Sequence, residues 1–214
     1  MLQATIPNDP DEVKDTVYRA GDVRERLIAD QFSKCAYCES IVTKQFNDVD
    51  HYRPKKEYYW LGHQWENLLY ACPLCNRTYK KHHFPLKDES KRHQVALETP
   101  LIINPTTEDP AQHIKYNRHI MVPRIVDGVI DEKGKATIDL FQLNNRKPLV
   151  SEREQLYETF EMVKRKKEIA KAYIKSSIHT NVLIARELLD LCNELQEKMK
   201  APSTPYSGML TNLE

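Results

Sequence analysis

The 214 residues carry 32 Lys and Arg against 31 Asp and Glu, a formal net charge of +1 at pH 7, with 40% hydrophobic and 29% charged residues. That composition excludes a disordered polyelectrolyte and a membrane protein, and any surface for a polyanion has to be local because there is no global basic excess. The length is that of one main domain, or of one small core with helical additions.

The amino end, MLQATIPNDPDEVKD, has acids and prolines where a secretory signal has a basic start and an apolar run. A cytoplasmic protein with no membrane partner is expected. Residues 1–34 read as a helical lead-in, with Val23, Leu27, Ile28 and Phe32 forming an apolar stripe on a helix over 11–33. Residues 35–97 are dense in Cys, His, Tyr and Trp, which suits short loops and strands around a metal. Here Tyr58, Tyr59, Trp60 and Trp65 read as packing around a small core rather than as base-stacking platforms.

Residues 98–150 form a β-rich accessory segment, in which IMVPRIV, the Asp127-Gly128 turn and ATIDLF predict a hairpin or meander. Two packed helices fill residues 151–200. The first opens on a Ser151–Glu154 capping box and continues through Leu156, Phe160, Val163, Ala170 and Ile174; the second presents Ile184, Leu188, Leu191, Leu195 and Met199 and ends before Pro202. The run KRKKE with Lys171 and Lys175 reads as a solvated helix face, and Cys192 as a buried core thiol. The tail, residues 201–214, lacks apolar periodicity and is expected to be disordered or docked on a partner.

Chemistry concentrates between the cysteines. Cys35, Cys38, Cys72 and Cys75 form two C-x-x-C pairs, a set of four soft ligands that suits a tetrahedral, closed and therefore structural zinc site. Paired knuckles alone fit a binding ribbon as well as an enzyme. The interval adds Asp50 beside His51 in VDHYRPK, Asn67 in WENLLYAC, and Asn76 with Arg77 and Lys80 in CNRTYK. A neutral imidazole can activate water near physiological pH, and a hard cation on carboxylate and amide oxygens can supply charge at a phosphate.

Taken together, KCAYCE, VDHYRPK, WENLLYACPLCN, FPL, ETPLIINP and TIDLFQLN resemble the HNH endonuclease family, and more narrowly the HNH subunit of Septu-type anti-phage defence systems. The resemblance implies an α+β fold: a ββα-metal core with a four-cysteine zinc clamp, a small β-hairpin or meander insertion and long helices on the C-terminal side. It implies His51 as general base, Asp50 and Asn76 as ligands of a catalytic Mg²⁺ or Mn²⁺, and Asn67 as the brace of the loop holding His51. Products would carry a 5′-phosphate and a 3′-hydroxyl, with DNA the foremost substrate and a partner ATPase as regulator. Arg53, Lys55, Arg77 and Lys80 are candidate phosphate contacts by their proximity in sequence. His82 and His83 could replace or supplement Asn76. The competing readings are a non-catalytic zinc-dependent binding module and an RNA-cutting HNH enzyme.

Overall fold

The computed structural model describes residues 6–43, 47–175 and 179–213; residues 1–5 of the predicted lead-in and residue 214 of the predicted tail lie outside them. The architecture is α+β. Its centre is a short antiparallel pair, β1 (Asp48–His51) on β2 (Leu68–Ala71), with Asp50 opposite Leu69 and His51 opposite Leu68. A one-and-a-half-turn π-helix, Leu74–Lys80, follows directly, marked by the hydrogen bond from Lys81 N to Asn76 O at 2.7 Å. Both strands are buried on both faces, so their sequences show no alternation of apolar and polar residues.

The predicted helix over 11–33 is broken into a 3-10 turn (Pro10–Glu12), α1 (Asp15–Tyr18) and α2 (Gly21–Asp30). Lys14 and Ala20 carry extended ψ values, which interrupt the helical hydrogen bonding. Past α2, Phe32 and Ser33 adopt positive φ, turning the chain toward the first cysteine pair and leaving Phe32 49% exposed, off the stripe that Leu27 buries. Trp65 is also 41% exposed, whereas Tyr58 is buried and Tyr59 and Trp60 pack on the core.

In the accessory region β3 (Ile114–Asn117) pairs with β4 (Ile120–Pro123), and β5 (Ile125–Val126) with β6 (Val129–Ile130). Asp127 and Gly128 both have positive φ, the requirement of a tight two-residue hairpin turn, as their sequence predicts. ATIDLF is a correction: it lies in and just after α3 (Glu132–Leu140), not a strand. The Asp131 side chain caps this helix by accepting from Gly134 N at 2.6 Å. Gly134 is required there, since a Cβ would fall 2.2 Å from the His113 carbonyl oxygen. With that contact in place, Thr137, Ile138 and Phe141 turn into the core.

The long helices are α4 (Lys147–Lys175) and α5 (His179–Lys200). Lys167 Nζ reaches Gln196 Oε1 at 2.8 Å and Lys200 lies over the Phe160 ring, so the two run antiparallel. Because α4 begins at Lys147, Ser151 sits inside it and does not cap it, correcting the predicted capping box. The apolar stripe predicted for α5 is also rotated: Ala185, Cys192 and Gln196 are buried, whereas Ile184, Leu191 and Leu195 are exposed. Cys192 is a core thiol as expected. Lys164 and Lys171 pair with Glu161 and Glu168 on the solvated face of α4.

The tail folds back onto its own chain. Tyr206 donates to Glu152 at 2.5 Å, Gly208 N donates to Glu39, and Lys34 Nζ reaches Ser207 Oγ at 3.1 Å, placing α6 (Ser207–Thr211) beside the first cysteine pair. Met209, fully buried, and Leu210 pack against Phe160. Five residues are too few to display a period, and the tail's order comes from the surface that receives it. Among the described residues no helix is long and apolar enough to cross a membrane. Truncating the buried side chain in Met209→Ala is expected to cost about 2–5 kcal/mol in urea unfolding; a change within about 0.5 kcal/mol, the usual size for a surface substitution, would mean that the tail is not docked in solution.

Candidate functional site

Two C-x-x-C turns meet at the head of the ββα core. The ligand atoms of Cys35, Cys38, Cys72 and Cys75 all lie within 4.8 Å of one another, and Cys38 Sγ to Cys72 Sγ is 3.9 Å. Tetrahedral zinc with Zn–S bonds near 2.3 Å requires sulfur–sulfur edges of about 3.8 Å, so these four residues fit that ion. Hydrogen bonding among the thiols pushes Cys75 far up and Cys72 far down in pKa. A cation removes that conflict by taking all four as thiolates. Arg146 Nη1, which the sequence reading missed, lies 3.2 Å from Cys75 Sγ and offsets part of the negative charge.

Strand β1 distributes the remaining groups by its period of two. Asp48 and Asp50 share one face; Val49 and His51 share the other. Facing the two acids, the π-helix supplies Asn76, Arg77 and Lys80. Asp48 accepts from Asn76 Nδ2 at 3.1 Å and from Arg77 Nε at 2.7 Å, with a second bond from Arg77 Nη2. Once its nitrogen is bound to Asp48, the Asn76 amide leaves Oδ1 as its open acceptor. Asp50 accepts from the Tyr37 hydroxyl at 2.5 Å and pairs with Lys80 Nζ at 3.1 Å. Burial raises the Asp50 pKa, and Lys80 and Tyr37 oppose that rise.

On the other face, His51 Nε2 lies 2.9 Å from the Gly62 carbonyl oxygen, and the ring meets Tyr18 edge-on at 4.5 Å. A carbonyl only accepts, so Nε2 carries the hydrogen and Nδ1 the free lone pair of the neutral ring. Burial holds the His51 pKa down to about 4. Asn67 fixes the loop behind this contact: its Oδ1 accepts from Arg53 N at 2.7 Å, and its Nδ2 donates to Arg53 O at 3.1 Å and to Leu61 O at 3.3 Å, the residue before Gly62. Gly62 itself has no room for a side chain, since a Cβ would stand 2.6 Å from Val13 Cγ1.

One cleft of about 350 Å³ gathers Asp50, His51 and Asn76 with Tyr18, Arg19, Lys55, Lys56, Lys81 and His82 along its wall. Lys81 has φ +50°, an uncommon conformation for a side-chain-bearing residue; it ends the π-helix and turns Lys81 and His82 to this wall. His83 stacks on His82 at 5.0 Å.

Two candidate phosphate contacts are corrected. Lys80 is fully buried, donating to the His51 carbonyl oxygen at 2.6 Å as well as to Asp50. Arg53 pairs at 2.8 Å with Glu98, whose side chain has no exposure, and lies over the Tyr52 and Phe84 rings. Arg77 is exposed at 67% but engaged with Asp48. Lys55 does face the cleft, where it pairs with Asp15 Oδ1 at 3.2 Å and lies 2.9 Å from Tyr18 Oη. Sequence reasoning missed Arg19, Lys56 and Lys81 on the wall, and Tyr37 and Asp48 behind it. A partly legible signal existed for Asp48, which stands two residues before Asp50 and therefore on the same strand face.

The sequence model of HNH endonucleases matches residues 35–83, the stretch from the first cysteine to the second of the paired histidines. Residues 35–83 are an HNH endonuclease-family domain. The chain is also similar to two proteins named Septu protein PtuB. One, from Bacillus mycoides (strain KBAB4), is 28% identical over 84% of this chain and 69% of its own length. The other, from Bacillus thuringiensis, is 32% identical over 55% of this chain and 39% of its own length. Both HNH knuckles, the β1–β2 pair and the π-helix fall within the matched domain.

Metal analysis is expected to find one zinc per chain, and Cys72→Ser is expected to lose it together with cooperative unfolding, because ligation of this kind contributes on the order of 10 kcal/mol to small zinc domains. A Cys72→Ser protein with wild-type stability would remove the cluster from the account of the fold.

Proposed function

We propose that the protein is a divalent-metal-dependent endonuclease that hydrolyses nucleic-acid phosphodiesters, DNA foremost, as the cytoplasmic effector of an anti-phage defence system under the control of a partner ATPase. The observation that carries the nuclease reading is the 2.9 Å contact of His51 Nε2 with the Gly62 carbonyl oxygen: because that oxygen only accepts, it calls for the hydrogen on Nε2 and leaves Nδ1 to take a proton, in a residue that lines the cleft with Asp50 and Asn76. The HNH domain match and the similarity to Septu protein PtuB support the same reading, the latter for the defence role.

In this reading His51 Nδ1 takes a proton from water as the water oxygen attacks phosphorus; the bond to the 3′ oxygen breaks and that oxygen takes a proton from solvent, giving a 5′-phosphate and a 3′-hydroxyl. The Asp50 carboxylate and the Asn76 amide oxygen are hard donors that fit Mg²⁺ or Mn²⁺, which when bound supplies positive charge at the scissile phosphate. Asp48 turns the Asn76 amide so that its oxygen is available. Asn67 acts one step back by fixing Leu61 and Arg53, and with them the carbonyl that orients His51. Lys55, Lys56 and Lys81 hold flanking phosphates, which makes binding strongly salt-dependent.

Plasmid DNA and a structured RNA, incubated in parallel with the protein, Mg²⁺ or Mn²⁺, and the neighbouring ATPase where present, provide the test. Cleavage of DNA is expected, falling by roughly 10²–10⁴-fold in His51→Ala, the usual contribution of a general base. Cutting of RNA alone would transfer the assignment to an RNA-directed enzyme. Absence of cleavage in every combination, with zinc retained and the fold intact, would leave a zinc-dependent binding module.

A further inference from the structure

We propose that the cysteine cluster sets the divalent-ion site as well as stapling the fold, and that Tyr37 is the positioning residue through which it does so. The inference rests on the reading of Asp50 as an ion ligand and adds what governs that ligand. Tyr37 lies inside the first knuckle, between Cys35 and Cys38, so its backbone is fixed by the two cysteines that flank it. Its ring stacks on Phe141 at 4.2 Å with 19° between the planes, and its hydroxyl ends 2.5 Å from Asp50 Oδ2. The second knuckle reaches the same carboxylate: the π-helix that begins at Leu74, within the Cys72–Cys75 turn, ends on Lys80, whose ammonium is 3.1 Å from Asp50 Oδ2 and 3.3 Å from Oδ1.

Each arm of the cluster therefore delivers one donor to a carboxylate that is 4% exposed. A carboxylate offers about four lone-pair sites, and the Tyr37 hydroxyl, the Lys80 ammonium and the His51 backbone N–H that Asp50 also accepts from leave one for a cation. The orientation of a buried carboxylate held this way is decided by its donors. Removing the hydroxyl leaves Lys80 as the side-chain donor on the carboxylate, which is then free to turn out of the position it holds in the cleft beside Asn76. Outer partners of metal ligands generally act in this manner, and their loss weakens metal binding by about 10- to 100-fold. The hydroxyl also offsets part of the cost of keeping Asp50 ionised in the interior, since its hydrogen bond is stronger to the charged carboxylate than to the neutral acid.

Tyr37→Phe separates this role from a packing role, because the substituted ring keeps its stack on Phe141 and loses only the hydroxyl. In zinc-loaded protein, Mn²⁺ affinity is read by titration calorimetry and by the fall of the free-Mn²⁺ electron paramagnetic resonance signal, alongside zinc content and thermal unfolding, with Asp50→Asn marking the site-specific binding. The expected result is a Mn²⁺ dissociation constant raised about tenfold or more in Tyr37→Phe, with zinc content unchanged, and a metal requirement for cleavage displaced by the same factor at little change in the rate at saturating metal. An affinity within about twofold of wild type would overturn the proposal, as would wild-type protein whose Mn²⁺ binding is untouched by Asp50→Asn. Mn²⁺ binding that depends on Asp50 and Tyr37 without cleavage of any polymer would uphold the positioning role and remove only the nuclease reading.

Discussion

Bringing four cysteine sulfurs together from two turns more than 30 residues apart is the constraint on which the rest of this core depends. The two strands between them span only four residues each, too little for a stable pair in isolation. Closing the cluster pins one end of this segment to the other, so that β1 and β2 can pair and bury both faces. Ligation of a metal by the four sulfurs would supply that long-range order, and the small apolar core around Tyr52, Tyr70 and Leu69 fills the remaining space. Arg146, arriving from the chain just before α4, couples the cluster to the helical half through Cys75.

With β1 fixed, the strand's period of two sorts the chemistry. Acids fall on one face, where the π-helix meets them with Asn76, Arg77 and Lys80; the imidazole falls on the other, against Tyr18 and the Gly62 carbonyl. The same segment is thereby given one charge-compensated acid side and one imidazole side, and Asp50 and His51 both line the cleft. Neither His51 nor Asn76 is oriented by its own rotamer preference alone. Each has one polar atom tied to the protein, and that tie decides which atom is left over.

How much of this the sequence discloses follows from the range of the interaction that decides each feature. Metal ligation is encoded in local spacing, and the two C-x-x-C pairs read directly as a cluster; the Asp127-Gly128 turn reads for a similar reason, since positive φ at two successive positions is a local demand. The phosphate contacts do not read, because proximity along the chain carries no information about burial. Lys80 turns inward to Asp50, 30 residues earlier, and Arg53 to Glu98, 45 residues later. ATIDLF reads as a strand from its β-branched residues, yet the Asp131 cap and the approach of Gly134 to His113 make it helical. The α5 stripe does not read because an amphipathic helix with apolar residues on more than one side does not say which side α4 covers.

The cost of this arrangement is visible at Lys80. Sequestering an ammonium from water is unfavourable unless its hydrogens are satisfied, and here the Asp50 carboxylate and the His51 carbonyl take them. A hydrophobic residue at this position would spare the desolvation of the lysine but leave Asp50 as an uncompensated buried charge between Tyr37 and the π-helix. The ammonium is therefore best understood as the counterion that lets a carboxylate lie in the interior at all, while its second bond, to the backbone of His51, joins the acid face of β1 to the imidazole face. Through that one side chain the two halves of the site are held in a single geometry, and the π-helix that carries it is the element that makes the connection.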